Sequence, residues 1–211
     1  MKSIWKLCAG IALFSIISCE KDVVTKEDFT QPDSFLGLGG RKPGVDASGF
    51  TTYTILGGQQ YCVGNMYPLY STTGMHFTAK FDSTDIYQNV NPQNQYDYNK
   101  LYGFSDNNSD HQKFSARFGW RWCHNQIELS AYTYNDGIRT IQDLGGIDMS
   151  KEHNCAILVN GSEYDFVLDG DTTVMTRTSK TRKGSGYKLL PYFGGDEVAP
   201  HTMTIKIKET K

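Results

Sequence analysis

The chain has 211 residues, enough for one domain with a two-layer core plus an appended segment. Aromatic residues make up 13% and charged residues 21%, with 13 Tyr and 11 Phe, a composition of a β-rich globular protein that argues against disorder throughout. Formal net charge is −2, or −4 once residues 1–18 with Lys2 and Lys6 are set aside, a balance that speaks against nucleic-acid binding.

Lys2 and Lys6 precede an apolar run, Leu7 to Ile17, too short to span a bilayer, so residues 1–18 are expected to be a cleaved targeting signal. The following Ile16-Ile17-Ser18-Cys19 resembles a bacterial lipobox, and Glu20, Lys21 and Asp22 resemble the charged tract behind the lipid-bearing Cys of surface-exported lipoproteins in the Bacteroidota. That resemblance implies a lipidated Cys19 and a place on the bacterial outer membrane, exposed at the cell surface. Cys62, Cys123 and Cys155 remain, an odd number that permits at most one disulfide. With no Cys-x-x-Cys, they read as small core residues rather than metal ligands.

Residues 19–50 are polar, carry Pro32 and Pro43 and show no sustained period, and so form a tether; the β-domain is expected over residues 51–211. TTYTILGGQQYCV holds a first strand or hairpin about Gly57-Gly58. Met75, Phe77, Ala79 and Phe81 then alternate with polar residues in a second strand. Ser83 to Asn99 is a long polar loop of the kind that usually has a task. Downstream of a short strand at 101–104 lies a central hairpin, then an edge strand in GIRTIQDLG and a pair in HNCAILVN and EYDFVLDG. Asp169-Gly170 supplies the positive φ of a tight primed turn. YKLLPYFGG and the alternating HTMTIKIK close the chain. About ten to twelve strands favour an antiparallel two-sheet β-sandwich over a small barrel, with Phe114, Phe118, Trp120, Trp122, Phe166, Leu168, Ile205 and Ile207 inside.

In the central hairpin, Phe114, Ala116, Phe118, Trp120 and Trp122 alternate with Ser115, Arg117, Gly119, Arg121 and Cys123. After His124-Asn125, Ile127, Leu129 and Ala131 oppose Glu128, Ser130, Tyr132 and Tyr134. Paired, the two strands put Arg117, Arg121, Tyr132 and Tyr134 on one polar face. There guanidinium groups can hold a carboxylate or sulfate while phenol rings pack on sugar faces. His201, at a strand start, is a further candidate for ligand binding. No metal cluster or phosphate loop is visible in the spacing, so no cofactor is expected.

From residue 75 to 208 the order of elements resembles the concanavalin A-like lectin and glucanase superfamily. Its most specific piece is EYDFVLDG, similar to the Tyr-x-Phe-x-x-Asp-Gly hairpin of that superfamily. The resemblance implies a jelly roll with one concave sheet on which glycans bind. The chain departs from the catalytic branches. It lacks the Glu-x-Asp-x-x-Glu of laminarinase-like enzymes, whose paired carboxylates act as nucleophile and acid. It also lacks the Arg-x-Glu-x-Arg, Gln-x-His and Tyr-Phe-Lys-x-Gly set of alginate-lyase-like jelly rolls, since PYFGG has Gly194 where Lys would stand. Three readings stay open: a lipid-anchored, non-catalytic module for an acidic poly- or oligosaccharide, a polysaccharide lyase acting on uronate-containing glycans with Tyr134 or His201 as base, and a structural adhesin with a protein partner.

Cys19→Ala is expected to release the protein from membranes, because the acyl chains supply the apolar burial that a β-domain lacks. Metabolic labelling with a fatty-acid analogue checks it: the mature wild-type chain takes up the label and the variant does not.

Overall fold

The computed structural model describes residues 43–210. The expected signal segment 1–18, Cys19 and the tether as far as residue 42 lie outside the described residues. Within them, the alternating segments form twelve strands: β1 (Thr51–Ile55), β2 (Leu69–Thr72), β3 (Gly74–Lys80), β4 (Asn99–Ser105), β5 (Phe114–Cys123), β6 (Gln126–Asn135), β7 (Ile138–Ile147), β8 (His153–Asn160), β9 (Glu163–Leu168), β10 (Asp171–Thr176), β11 (Gly184–Leu189) and β12 (Met203–Thr210). They pair antiparallel in two six-stranded sheets, ordered β1-β12-β3-β8-β9-β10 and β2-β11-β4-β5-β6-β7. The expected sandwich is therefore present, and no α-helix occurs among the described residues.

Primed turns close the tight hairpins. Asp169 and Gly170 take φ of 51° and 101° between β9 and β10, and His124 and Asn125 take 51° and 59° between β5 and β6, the left-handed values such turns require. Between the sheets, inward aromatic rings interlock: Phe77 lies 5.6 Å from Phe118, Phe118 lies 5.2 Å from Phe166, and Trp120 lies 5.7 Å from Phe81, ring centre to ring centre. Phe118, Trp120, Phe166, Ile205 and Ile207 are all buried in this layer, as the alternation predicts. Trp122 differs. It packs against the core near the end of β5 but stays half-buried, because it also lines an open cavity beside Tyr87 and Tyr96.

Two further features depart from the sequence reading. Strand β2 gave no signal, since it is a four-residue edge strand whose Leu69 is 91% exposed, so nothing apolar alternates along it. The 83–99 loop contains two short 3-10 turns, Ser83–Asp85 and Pro92–Tyr96, capped by Asp82 and Asn91. Cys62, Cys123 and Cys155 are all free thiols, so the permitted disulfide is not formed.

One fully buried carboxylate joins both sheets. Asp106, just beyond β4, accepts from Arg177 Nε at 2.8 Å and from the Tyr164 hydroxyl on β9 at 2.6 Å. It also accepts from the backbone N–H of Ser185 on β11 and from the Thr181 hydroxyl, both at 3.0 Å. Arg177 spends its remaining donors on Gly161 O, Ser179 and Thr181, which fixes the β10–β11 connection. Burial alone would raise the Asp106 pKa, but Arg177 and Tyr164 hold it below the usual carboxylate range.

Removing one partner of such a pair strands a buried charge, so Arg177→Ala is expected to cost about 3–5 kcal/mol, read as a lower urea midpoint. Arg177→Met combined with Asp106→Asn should cost clearly less than Arg177→Ala alone.

Candidate functional site

Strands β5 and β6 pair residue for residue, placing Arg117 opposite Tyr132, Ser115 opposite Tyr134 and Arg121 opposite Glu128. Ala116, Phe118 and Trp120 face the other sheet, so Arg117, Arg121, Tyr132 and Tyr134 emerge on the outer face of the second sheet. Cross-strand register extends this face into rows. One row runs Leu189, Gly103, Arg117, Tyr132, Ile141, and a neighbouring one runs Tyr192, Lys100, Gly119, Ser130, Asp143. Gly103 is required where it stands, because a Cβ there would lie 2.4 Å from the Arg117 Cα and Cβ.

Arg117 is the centre of the face and is 7% exposed. Its guanidinium carbon lies 5.0 Å from the centre of the Tyr132 ring, and Tyr132 in turn tilts against Tyr134 at 5.8 Å. None of the ion pairs among the described residues involves Arg117. Its Nε is buried without a hydrogen-bond partner in the protein, and the same holds for Ser115 Oγ and Ser130 Oγ on the same face. Burial pulls the Arg117 pKa down, against the neighbouring Tyr132, Tyr134 and Tyr192.

Around it stand residues that sequence reasoning did not single out. Lys100 sits 5.7 Å from the ring centres of both Tyr132 and Tyr192 and donates to Gly194 O at 2.5 Å. Its pKa is pushed down to about 7 by burial and then by the positive Arg117 and Arg139, despite Asp97 and Asp196. His111 Nδ1 shares a 2.8 Å hydrogen bond with the Tyr187 hydroxyl, and Tyr187 meets the Tyr67 ring edge-on at 5.3 Å. Burial, and after it Arg117, pushes His111 down to about 4, so its ring is neutral at physiological pH. Burial pushes Tyr134 and Tyr187 up to about 12, which keeps both as neutral phenols. The face therefore combines fixed positive charge with neutral aromatic hydroxyls. Lys100, His111, Tyr187, Tyr67 and Tyr192 come from separate strands and loops. Each looks ordinary in the sequence, and only the register brings them to Arg117.

Arg121 points the same way as Arg117 but is fully engaged. Its Nε and Nη2 both lie 2.7 Å from Glu128 Oε2, its Nη1 donates to Tyr96 O at 2.6 Å, and its guanidinium carbon lies 4.1 Å from the Tyr98 ring centre. His201 is not among the neighbours of Arg117. It donates from Nε2 to Thr84 O at 2.9 Å and lines a cavity of about 550 Å³ with Tyr87, Tyr96, Trp122 and His124. The turn between β5 and β6 also gathers Cys123, His124 and Glu128, with ligand atoms within 4.8 Å of one another. Adjacent Cys and His on a hairpin gave no recognisable ligand spacing in the sequence.

The two sheets and their outer face define a concanavalin A-like jelly roll. Solved structures with the same fold include alginate lyase AlyC3, at TM-score 0.54 and 10% identity over 81% of this chain and 77% of that one. The laminarinase catalytic domain of Thermotoga maritima follows at TM-score 0.52 and 11% identity, covering 80% of each chain. Alginate lyase vAL-1 from Chlorella virus aligns at TM-score 0.50 and 11% identity over 80% of this chain and 87% of that one. Identities this low establish the fold alone. No family model and no curated protein matches the sequence.

Lys100 gives the fold a pH dependence of known sign. Because its folded pKa of about 7 lies below the ordinary 10.5, the folded protein holds fewer protons than the unfolded chain between those values. Stability from this group rises with pH across that window, by at most about 1.4 kcal/mol per unit, and is lost as pH falls through 7. Urea midpoints at pH 7 and pH 9 should therefore differ less in Lys100→Met than in the wild type.

Proposed function

We propose that the outer face of the second sheet binds an acidic oligosaccharide without cleaving it, in a protein held by the Cys19 lipid at the bacterial outer membrane and exposed at the cell surface. The observation that carries the reading is Arg117: a guanidinium buried on the outside of a sheet, stacked on Tyr132, with no ion pair and an unpartnered Nε. Burying a charge without an anion is costly, and an orphaned buried donor needs a reason. A ligand carboxylate supplies that anion, and a bidentate guanidinium–carboxylate pair is the strong form of such a bond. Tyr132 and Tyr134, with Tyr67, Tyr187 and Tyr192 around them, offer amphipathic rings for sugar faces and hydroxyls for sugar oxygens. That solved structures of this fold are named as alginate lyases and a laminarinase supports a carbohydrate ligand. The absence from the sequence of the paired carboxylates and of the lyase motifs supports binding over cleavage.

In this reading Arg117 meets the acid group, Lys100 adds a second positive charge beside it, and Tyr132 and Tyr134 stack. Arg121 orients Glu128 rather than ligand, and His201 lies outside the binding surface.

Uronate oligomers should bind the full chain with an affinity that falls as salt rises, whereas laminarin oligomers, being neutral, should show no such slope. Arg117→Ala should weaken uronate binding about ten- to a hundredfold, the loss of one charged hydrogen-bond pair. Affinity should also drop from pH 6 to pH 9 as Lys100 loses its proton, a slope that Lys100→Met removes. Titration calorimetry measures all three, and absorbance of the unsaturated sugar product is followed alongside. Unchanged affinity in Arg117→Ala overturns the surface, and a rising absorbance reassigns the protein as a lyase.

A further inference from the structure

A second group of side chains with ligand chemistry lies on the turn between β5 and β6. Cys123 and Glu128 are both 5% exposed, while the His124 side chain between them is 63% exposed and so free to adjust. One ligand atom from each of the three falls within 4.8 Å of the others. The Cys123 Sγ lies 3.9 Å from His124 Nε2. In a tetrahedral zinc site, bond lengths of about 2.3 Å to sulfur and 2.0–2.1 Å to nitrogen place those two atoms roughly 3.5 Å apart, so the pair stands a few tenths of an ångström from a ligating arrangement.

The His124 ring now stands between the other two groups, its Nε2 toward Cys123 and its Nδ1 toward Glu128. Because one ring nitrogen binds one ion, this exposed side chain has to swing aside for Sγ, a single ring nitrogen and Oε1 to converge. Glu128 Oε2 is fixed by two 2.7 Å contacts with Arg121, which leaves Oε1, now 2.8 Å from His124 Nδ1, as the oxygen on the side of the cluster. Hydrogen-bonded support of this kind behind a carboxylate is the usual outer layer of a metal site. Cys123 and His124 also line the cavity of about 550 Å³ that His201 and Tyr96 border, so a bound ion would have access to solvent on that side.

We infer that Cys123, His124 and Glu128 bind a zinc-like divalent transition metal. A thiolate and an imidazole exclude calcium and magnesium, which take all-oxygen shells, and suit zinc or cobalt. On binding, the Cys123 thiol gives its proton to solvent and the sulfur–metal bond forms, while Glu128 remains a carboxylate and His124 coordinates as neutral imidazole. Three protein ligands would leave at least one position open for a water or a ligand oxygen.

Cobalt(II) added to the metal-free full chain tests this, because thiolate ligation produces a near-ultraviolet charge-transfer band that zinc then abolishes by displacement. The band is expected in the wild type and absent in Cys123→Ser. His124→Gly keeps the turn, since glycine accepts the φ of 51° found there, and should weaken cobalt binding at least tenfold, as should Glu128→Gln. A Cys123→Ser variant that does not fold leaves the decision to His124→Gly, whose exposed position spares the core. Absence of the band in the wild type, its persistence in Cys123→Ser, or unchanged affinity in His124→Gly overturns the site.

Discussion

The sandwich depends on a carboxylate placed where no solvent reaches it. Asp106 follows β4 in the second sheet, yet it takes hydrogen bonds from Tyr164 in the first sheet, from Arg177 after β10 and from Ser185 on β11. Apolar packing holds two sheets face to face but resists sliding poorly, since many offsets bury similar area. A charged group with five protein donors admits one offset, because any other leaves it unpaired in the interior. Its own desolvation argues against a large net contribution to stability, so its effect is on uniqueness of the arrangement. The register of β4 against β5, and with it the position of Arg117, inherits that uniqueness.

Arg117 and Arg121 show how two like residues on one strand and one face come to different ends. Four residues apart, they differ in what stands across the ladder: Tyr132 for the first and Glu128 for the second. Glu128 neutralises Arg121 and turns it into a brace for the β5–β6 turn. Tyr132 offers Arg117 a ring face and a hydrogen bond but no charge, so Arg117 has no ion-pair partner among the described residues. Burial first, and then the positive Arg117, lowers the proton affinity of Lys100 and His111.

The strands that read clearly in the sequence are those whose residues alternate between apolar and polar or small, even where, as in β5 and β6, both faces are largely buried. β3, β5, β6 and β12 alternate because their inward residues meet the facing sheet, and Asp169-Gly170 announces its turn because few residues accept a positive φ. β2 was silent because it lies at an edge with an exposed Leu69. Of the proposed sugar-binding face, Arg117, Tyr132 and Tyr134 were legible together, since a hairpin pairs near neighbours and its register follows from the turn. Lys100, His111 and Tyr187 were not, because their approach to Arg117 is set by pairings across tens of residues. His201 is a ligand-binding candidate in the sequence by residue type, with no pairing that ties it to that face. Its side chain points to the turn at Thr84, and only the three-dimensional arrangement separates the two places. Cys123 reads as a small core residue because no Cys-x-x-Cys accompanies it, and its nearness to Glu128 depends on the left-handed turn at His124-Asn125.

The order of the first sheet bears on how the chain reaches this state. β12 lies between β1 and β3, pairing Thr51 with Ile207 on one side and Lys80 with Lys206 on the other. β1 thus waits for β12 before it has any strand neighbour, while β3 pairs with β8 on one side and waits for β12 on the other. The β5–β6 and β8–β9 hairpins need only local loop closure and can form early, whereas the seam at β12 carries the full entropic cost of bringing distant segments together. Until that seam closes, β1 and β3 present bare edges that invite pairing with other chains. Closure of the first sheet is therefore gated by β12, which must arrive before β1 has a neighbour and before the open side of β3 is covered.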